Sequence, residues 1–131
     1  MIDCMILGDS IAVGTHQFRP ECVAYATGGY NSYQWNNKYN HKDFVASTVI
    51  ISLGSNDHQY IKTFNELLLL RQSVLADRVY WIMPAIKPNI QEYIKIIAKN
   101  YNDIVLPIPA LQKDKIHPSW AGYKELAEQT K

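Results

Sequence analysis

Five short apolar runs, each cut off by a glycine or a proline, constrain the fold of this chain more than any other feature. Residues 4–7 (CMIL) stop at Gly8, and residues 22–26 (CVAYA) stop just ahead of Gly28-Gly29. Residues 48–53 (TVIISL) are rich in β-branched side chains and stop at Gly54; residues 78–83 (RVYWIM) stop at Pro84, and residues 103–106 (DIVL) at Pro107. Runs of this length and composition, bounded by such punctuation, predict strands. Helical spacing fills the intervals. Leu67, Leu68, Leu70, Val74 and Leu75 predict a helix over 61–75, and Ile90, Tyr93, Ile94, Ile97 and Ala98 predict one over 89–101, with Asn89 as its cap. Trp120, Tyr123, Leu126 and Ala127 predict a third over 119–129, capped by Ser119. Residues 31–39 give a less regular helical pattern, residues 36–41 an exposed polar loop or helix end, and residues 11–20 one short turn and a loop.

Strand alternating with helix is the pattern of a parallel sheet covered on both faces. Right-handed crossovers then favour a three-layer α/β/α arrangement, a flavodoxin-like five-stranded parallel sheet of order 2-1-3-4-5. With 131 residues, a single domain spanning 1–131 is expected. That order makes strands 1 and 3 neighbours at the switch point, where open α/β sheets bind ligands beyond the carboxyl ends of their strands.

Composition excludes several classes. Thirteen Lys and Arg against twelve Asp and Glu, scattered along the chain, leave a net charge of +1 and no basic stripe for nucleic acid. No apolar run is long enough to span a bilayer, and no charged segment leads into a long apolar one at the amino terminus, so no signal peptide is visible. A cytoplasmic or otherwise soluble protein is expected. Cys4 and Cys22 both fall in apolar runs and read as buried free thiols ahead of a disulfide. They form no C-x-x-C pattern, the four histidines show no zinc spacing, and no metal or cofactor is expected.

Four polar islands interrupt the pattern: Gly8-Asp9-Ser10, Gly28-Gly29, Gly54-Ser55-Asn56-Asp57 and Asp114-Lys115-Ile116-His117-Pro118. The first and third end strands 1 and 3, so the expected topology brings them together. A serine hydroxyl needs a base to take its proton, and the base needs a partner to hold its tautomer. Ser10 is the candidate nucleophile, His117 the candidate base, and Asp114 can reach the same imidazole from three residues upstream. A tetrahedral intermediate needs donors for its oxyanion. The Ser10 N–H, a glycine N–H from Gly28-Gly29 and the Asn56 side-chain amide are the candidates. Asp9 and Asp57 are read as holding turns.

Together the islands resemble the blocks of the SGNH hydrolase superfamily, also called the GDSL family of esterases and lipases. The resemblance runs through Gly8-Asp9-Ser10-Ile11, Gly29-Tyr30-Asn31-Ser32, Gly54-Ser55-Asn56-Asp57 and Asp114 to Pro118, in family order over nearly the whole chain. It implies a flavodoxin-like fold, Ser10 as nucleophile, His117 and Asp114 completing the triad, and Ser10, Gly29 and Asn56 as oxyanion donors. Gly29 is preferred to Gly28 because the G-x-Asn-Ser pattern starts there. Ile11 replaces the usual leucine, and the chain is short for the family, which disfavours long-chain lipase activity. The expected function is a serine esterase acting on short acyl esters, including O-acetyl esters of carbohydrates. Acyl transfer to another acceptor and a weakly active binding module on the same fold are the alternatives. His16, His41 and His58 are rival bases, but none has an aspartate at the Asp114–His117 spacing. His58 is instead a candidate for substrate contact, as are Tyr30, Tyr60 and Trp120; for Trp120 packing of a helix against the sheet is the favoured alternative, and Trp81 belongs in the core. The substrate and the oligomeric state are not legible in the sequence.

Overall fold

The computed structural model describes residues 2–131. In chain order its elements are β1 (Cys4–Gly8), α1 (Ser10–Phe18), β2 (Val23–Ala26), α2 (Ser32–Tyr39), β3 (Phe44–Ser52), α3 (Thr63–Gln72), β4 (Val74–Ile82), α4 (Pro88–Tyr101), β5 (Ile104–Leu106) and α5 (Trp120–Gln129). All strand pairs are parallel, and the sheet order is β2-β1-β3-β4-β5, as the alternation predicts. Register aligns Ile6 with Ala24 on one side and Ile50 on the other, and carries on through Tyr80 to Ile104.

The period of two along each strand sorts the core onto two faces. Met5, Leu7, Val49, Ile51 and Trp81 pack against Trp35, Leu67, Leu70, Ile90, Ile94 and Ile97, so α2, α3 and α4 cover one face. Cys4, Ile6, Ile50, Tyr80 and Ile82 pack against Ile11, Ala12 and Leu126, so α1 and α5 cover the other. The central strands β1 and β3 are buried on both faces, which is why they read as near-continuous apolar runs.

Local chemistry sets the helix starts. The Asp9 side chain accepts from Ile11 N and caps α1, Asn31 and Gln34 form a capping box on α2, and Ser119 caps α5. Helix α4 differs from expectation: Pro88 occupies its first turn and Lys87, not Asn89, is the cap residue, with no side-chain capping bond.

Three other expectations are corrected. Residues 11–20 form a helix of nine residues rather than one turn, because the Asp9 cap and the burial of Ile11, Ala12 and Thr15 outweigh the poor propensity of Gly14 and Thr15. The helix expected over 61–75 ends at Gln72, and β4 begins at Val74, where it pairs with Phe44 of β3. The sequence there suits either state, and sheet pairing decides it. Within the polar tract, Asn36 is buried inside α2 and donates to the Glu66 backbone and side chain.

The cysteines are also corrected: Cys4 and Cys22 are joined in a disulfide, not free. Met5 pairs with Val23, so the residues just before them sit side by side on adjacent strands with Cα atoms 4.8 Å apart, inside the range a disulfide bridges. Cys4, Glu21 and Cys22 are the acid-and-thiol cluster compact enough to hold an ion among the described residues, and its two sulfurs are consumed by that bond. No helix among the described residues is long and apolar enough to cross a membrane.

Candidate active site

Ser10 is the first residue of α1, separated from the end of β1 by Asp9 alone. Gly8 makes this sharp turn possible. Its φ is +149°, and a Cβ there would lie 1.8 Å from the Ser52 carbonyl oxygen of neighbouring β3. His117 reaches the same place from the far end of the sequence. It sits in a small hairpin, where Gln112 N donates to His117 O, Ser119 N donates to Ala110 O and Leu111 bridges Pro118. The Ser10 Oγ and His117 Nε2 are 2.9 Å apart, across 107 positions of sequence.

Asp114 completes the chain of contacts. Its Oδ2 lies 2.7 Å from His117 Nδ1, while its Oδ1 accepts from Ile116 N and His117 N. The Ile116 amide, then the His117 side chain and amide, hold the Asp114 carboxyl down at about 2. Asp114 is therefore ionised at neutral pH and can only accept. It follows that Nδ1 carries a proton. In the neutral ring Nε2 then presents its lone pair to the Ser10 hydroxyl, which donates. The His117 and Asp114 side chains are 36% and 42% exposed, so this arrangement lies open at the surface.

The candidate oxyanion donors lie at the start of α1, in the Thr27–Tyr30 turn and in the loop after β3. The Ser10 N–H opens α1 and has no acceptor among the described residues. Thr27 to Tyr30 form a turn closed by Tyr30 N donating to Thr27 O, with Gly29 at φ +80°, a conformation that favours glycine. A Cβ on Gly28 would come within 3.8 Å of Ser10 Cβ, whereas one on Gly29 would meet nothing. The turn thus stands next to the serine, and both glycine amides lack acceptors among the described residues. The Asn56 Nδ2 donates one hydrogen to Tyr30 O at 3.0 Å, which orients the amide and leaves its second hydrogen free.

Of the two aspartates expected to hold turns, Asp9 bonds within its own turn, whereas the Asp57 carboxylate reaches out of its turn to other elements. Asp57 is buried and accepts from Ser32 N, Ser32 Oγ and Thr63 Oγ1, tying the loop after β3 to α2 and α3. Asp9 is fully buried; it accepts from Ile11 N, and its Oδ2 has no partner. Burial drives the Asp9 carboxyl up to about 7, against the opposing pull of the Ile11 and Ala12 amides and Ser52.

The rival histidines stand elsewhere. His16 bonds the Cys22 carbonyl and His41 is exposed. His58 receives a bond from Tyr60 N and lines a cavity of about 560 Å³, together with Lys62, Phe64, Asn65, Lys87 and Tyr93. Neither Ser10, Asn56, Asp114 nor His117 lines that cavity, although Asp57, next to Asn56, does. Tyr60 is 82% exposed and Trp120 67%; Trp120 meets the edge of Phe18 on α1 and is not sheet core. Trp35 and Trp81 are fully buried. Sequence reasoning missed Lys87, whose ammonium donates to the carbonyls of Ser55 and Asp57. It caps α4 in the loop that follows β4, and nothing in the sequence around it marks the residue out.

No protein-family model matches this chain, and no curated protein sequence matches it. Solved structures do resemble it. One is a "putative acylhydrolase" from Bacteroides fragilis, at TM-score 0.67 and 17% identity over 96% of this chain and 83% of that one. Another is a two-domain esterase active on acetylated mannans, crystallised with mannopentaose, at TM-score 0.60 and 16% identity. There the match covers 97% of this chain but 47% of the other, so this chain spans about half of that protein. At these identities the likeness is one of fold.

Proposed function

We propose that this protein is a serine esterase of the SGNH type, acting on short acyl esters. The observation that carries the reading is the unbroken line Ser10 Oγ, His117 Nε2, His117 Nδ1, Asp114 Oδ2, with an ionised carboxylate at its end. Ser10 Oγ attacks the ester carbonyl carbon while His117 Nε2 takes the hydroxyl proton. The carbonyl π electrons move onto oxygen, and the oxyanion is met by the Ser10 N–H, the Gly29 N–H and the free hydrogen on Asn56 Nδ2. Collapse breaks the bond to the leaving alcohol, which takes the proton from His117. Water then attacks the acyl-serine, gives its proton to His117, and the free acid leaves as Ser10 regains a proton. The chemistry calls on no metal or cofactor.

Substrate class follows from the surroundings of the serine. The triad candidates lie open, and exposed Tyr60 and Trp120, with half-buried Tyr30, offer aromatic faces nearby in the chain. An acetyl ester carried on a carbohydrate fits a shallow site of this kind, and the fold is shared with an esterase active on acetylated mannans. The test is hydrolysis of p-nitrophenyl acetate and of acetylated oligosaccharides by the wild type and by Ser10→Ala. The substituted protein should retain the wild-type melting temperature and lose turnover by a factor of roughly a thousand or more. Retention of turnover would sink the assignment.

The openness of the site also favours a second reading, in which a sugar hydroxyl replaces water as acceptor. Products formed with and without an added sugar acceptor separate the two. Failure of a fluorophosphonate to label Ser10 in folded protein would point instead to a binding module.

A further inference from the structure

We infer that Lys87 is a positioning residue for the oxyanion hole, holding Asn56 in place by clamping the carbonyls on either side of it. The inference rests on the esterase reading above. The Lys87 Nζ donates to Ser55 O at 2.8 Å and to Asp57 O at 2.7 Å. Those two residues flank Asn56, so one ammonium holds the peptide unit that enters Asn56 and the one that leaves Asp57, bracketing the stretch that carries the Asn56 side chain. The opposite side of the same loop is fixed by the Asp57 carboxylate, which accepts from Ser32 and Thr63. Asn56 itself is exposed, and its one hydrogen bond goes to Tyr30 O. Without the ammonium, the backbone behind that amide would be left with the Asp57 carboxylate bonds and the turn bond from Asp57 N to Gly54 O. An oxyanion donor is worth most when it is fixed before charge develops, because no reorganisation is then needed during the reaction.

The backbone of Lys87 supports the same conclusion. It has φ +67°, a left-handed conformation in which glycine or asparagine is the usual occupant. Lys87 also caps α4 with no side-chain capping bond. That conformation costs a lysine more than a glycine, and the bonds its side chain makes to the loop offset the cost. Charge-assisted bonds to two carbonyls are what that side chain makes there.

Two substitutions separate positioning from simple support of the fold. Lys87→Met removes the ammonium and keeps the stem. Lys87→Gly removes it and relaxes the backbone, so its melting temperature should not fall below that of Lys87→Met. In both, kcat on p-nitrophenyl acetate should drop about tenfold to a hundredfold, less than deleting a donor outright, with KM within about twofold. In an Asn56→Ala background, Lys87→Met should add little further loss, because the group it positions is already gone. Lys95→Met, on the exposed face of α4 where Lys95 pairs with Glu92, is the control and should match wild type. The Asn56 side-chain amide resonances provide a readout independent of turnover. They should shift and broaden in Lys87→Met. Unchanged Asn56 resonances, or losses in kcat that multiply with Asn56→Ala, would overturn the proposal. A wild type without esterase activity would count against the functional reading alone, because the amide resonances still decide whether the clamp exists.

Discussion

At the scale of single residues, two aspartates of the same ordinary acidity are driven in opposite directions by their settings. Asp114 is exposed but receives two backbone amides and an imidazole, and its carboxyl falls to about 2. Asp9 is sealed in the turn below Ser10 with one oxygen unpartnered, and its carboxyl rises from 3.8 to about 7. Asp114→Asn should leave the loop bonds to Ile116 and His117 in place. Its amide would face Nδ1 as a donor and favour the tautomer with hydrogen on Nε2. The expected result is a fall in kcat of about a thousandfold or more at nearly unchanged melting temperature; a fall of less than tenfold would rule out the orienting role. For Asp9 the sign runs the other way. Between pH 3.8 and about 7 the native carboxyl keeps a proton that the unfolded chain has released, so this group's contribution to stability declines as pH rises through that window. Asp9→Asn keeps an acceptor for Ile11 N and cannot ionise. It should match wild type near pH 4 in urea unfolding and exceed it at pH 8 by on the order of 1–3 kcal/mol.

At the scale of elements, the candidate site depends on how helices seat against loops. Helix α5 approaches the hairpin carrying His117 so closely that a Cβ on Gly122 would lie 2.3 Å from the Ala110 carbonyl oxygen. Gly122→Ala must push the hairpin away, and backbone cannot give as a flexible side chain does. Thermal unfolding should show a loss of about 1–3 kcal/mol. Esterase turnover should fall by more than that loss of folded protein accounts for, because the Ser10–His117 contact is displaced. If activity tracks the folded fraction alone, the hairpin does not control His117. The islands were legible because glycine and proline punctuate strands in a way that survives in one dimension. Helix α1 was underestimated and the end of α3 misplaced for the converse reason: burial under α5 and pairing with β3 override weak local preferences.

At the scale of the whole molecule, the Cys4–Cys22 disulfide ties the amino end of β1 to the start of β2, at the opposite end of β1 from Ser10. The two cysteines are 18 positions apart, and closing a loop of that size restricts the unfolded chain by about 3 kcal/mol. The pair Cys4→Ala and Cys22→Ala should lower the melting temperature by roughly 10 °C while kcat stays at the wild-type value. An unchanged melting temperature, with or without reductant, would show that the bridge is not formed in solution.

The sequence by itself determined the strand–helix alternation, the order of the sheet and the four polar islands, because each follows from local periodicity and from residues with unusual backbone freedom. It also pointed to Ser10, Asp114 and His117, since the spacing of an acid and a histidine within one turn is a local fact. Only the tertiary structure decided which groups from distant parts of the chain share a turn or a cavity. The 2.9 Å approach of Ser10 and His117, the pairing that brings Cys4 beside Cys22, the burial that raises Asp9 and the reach of Lys87 across to the Asn56 loop are all of this kind. Each depends on strand register and helix seating, which are set by packing over the whole core, and a one-dimensional pattern carries no record of them.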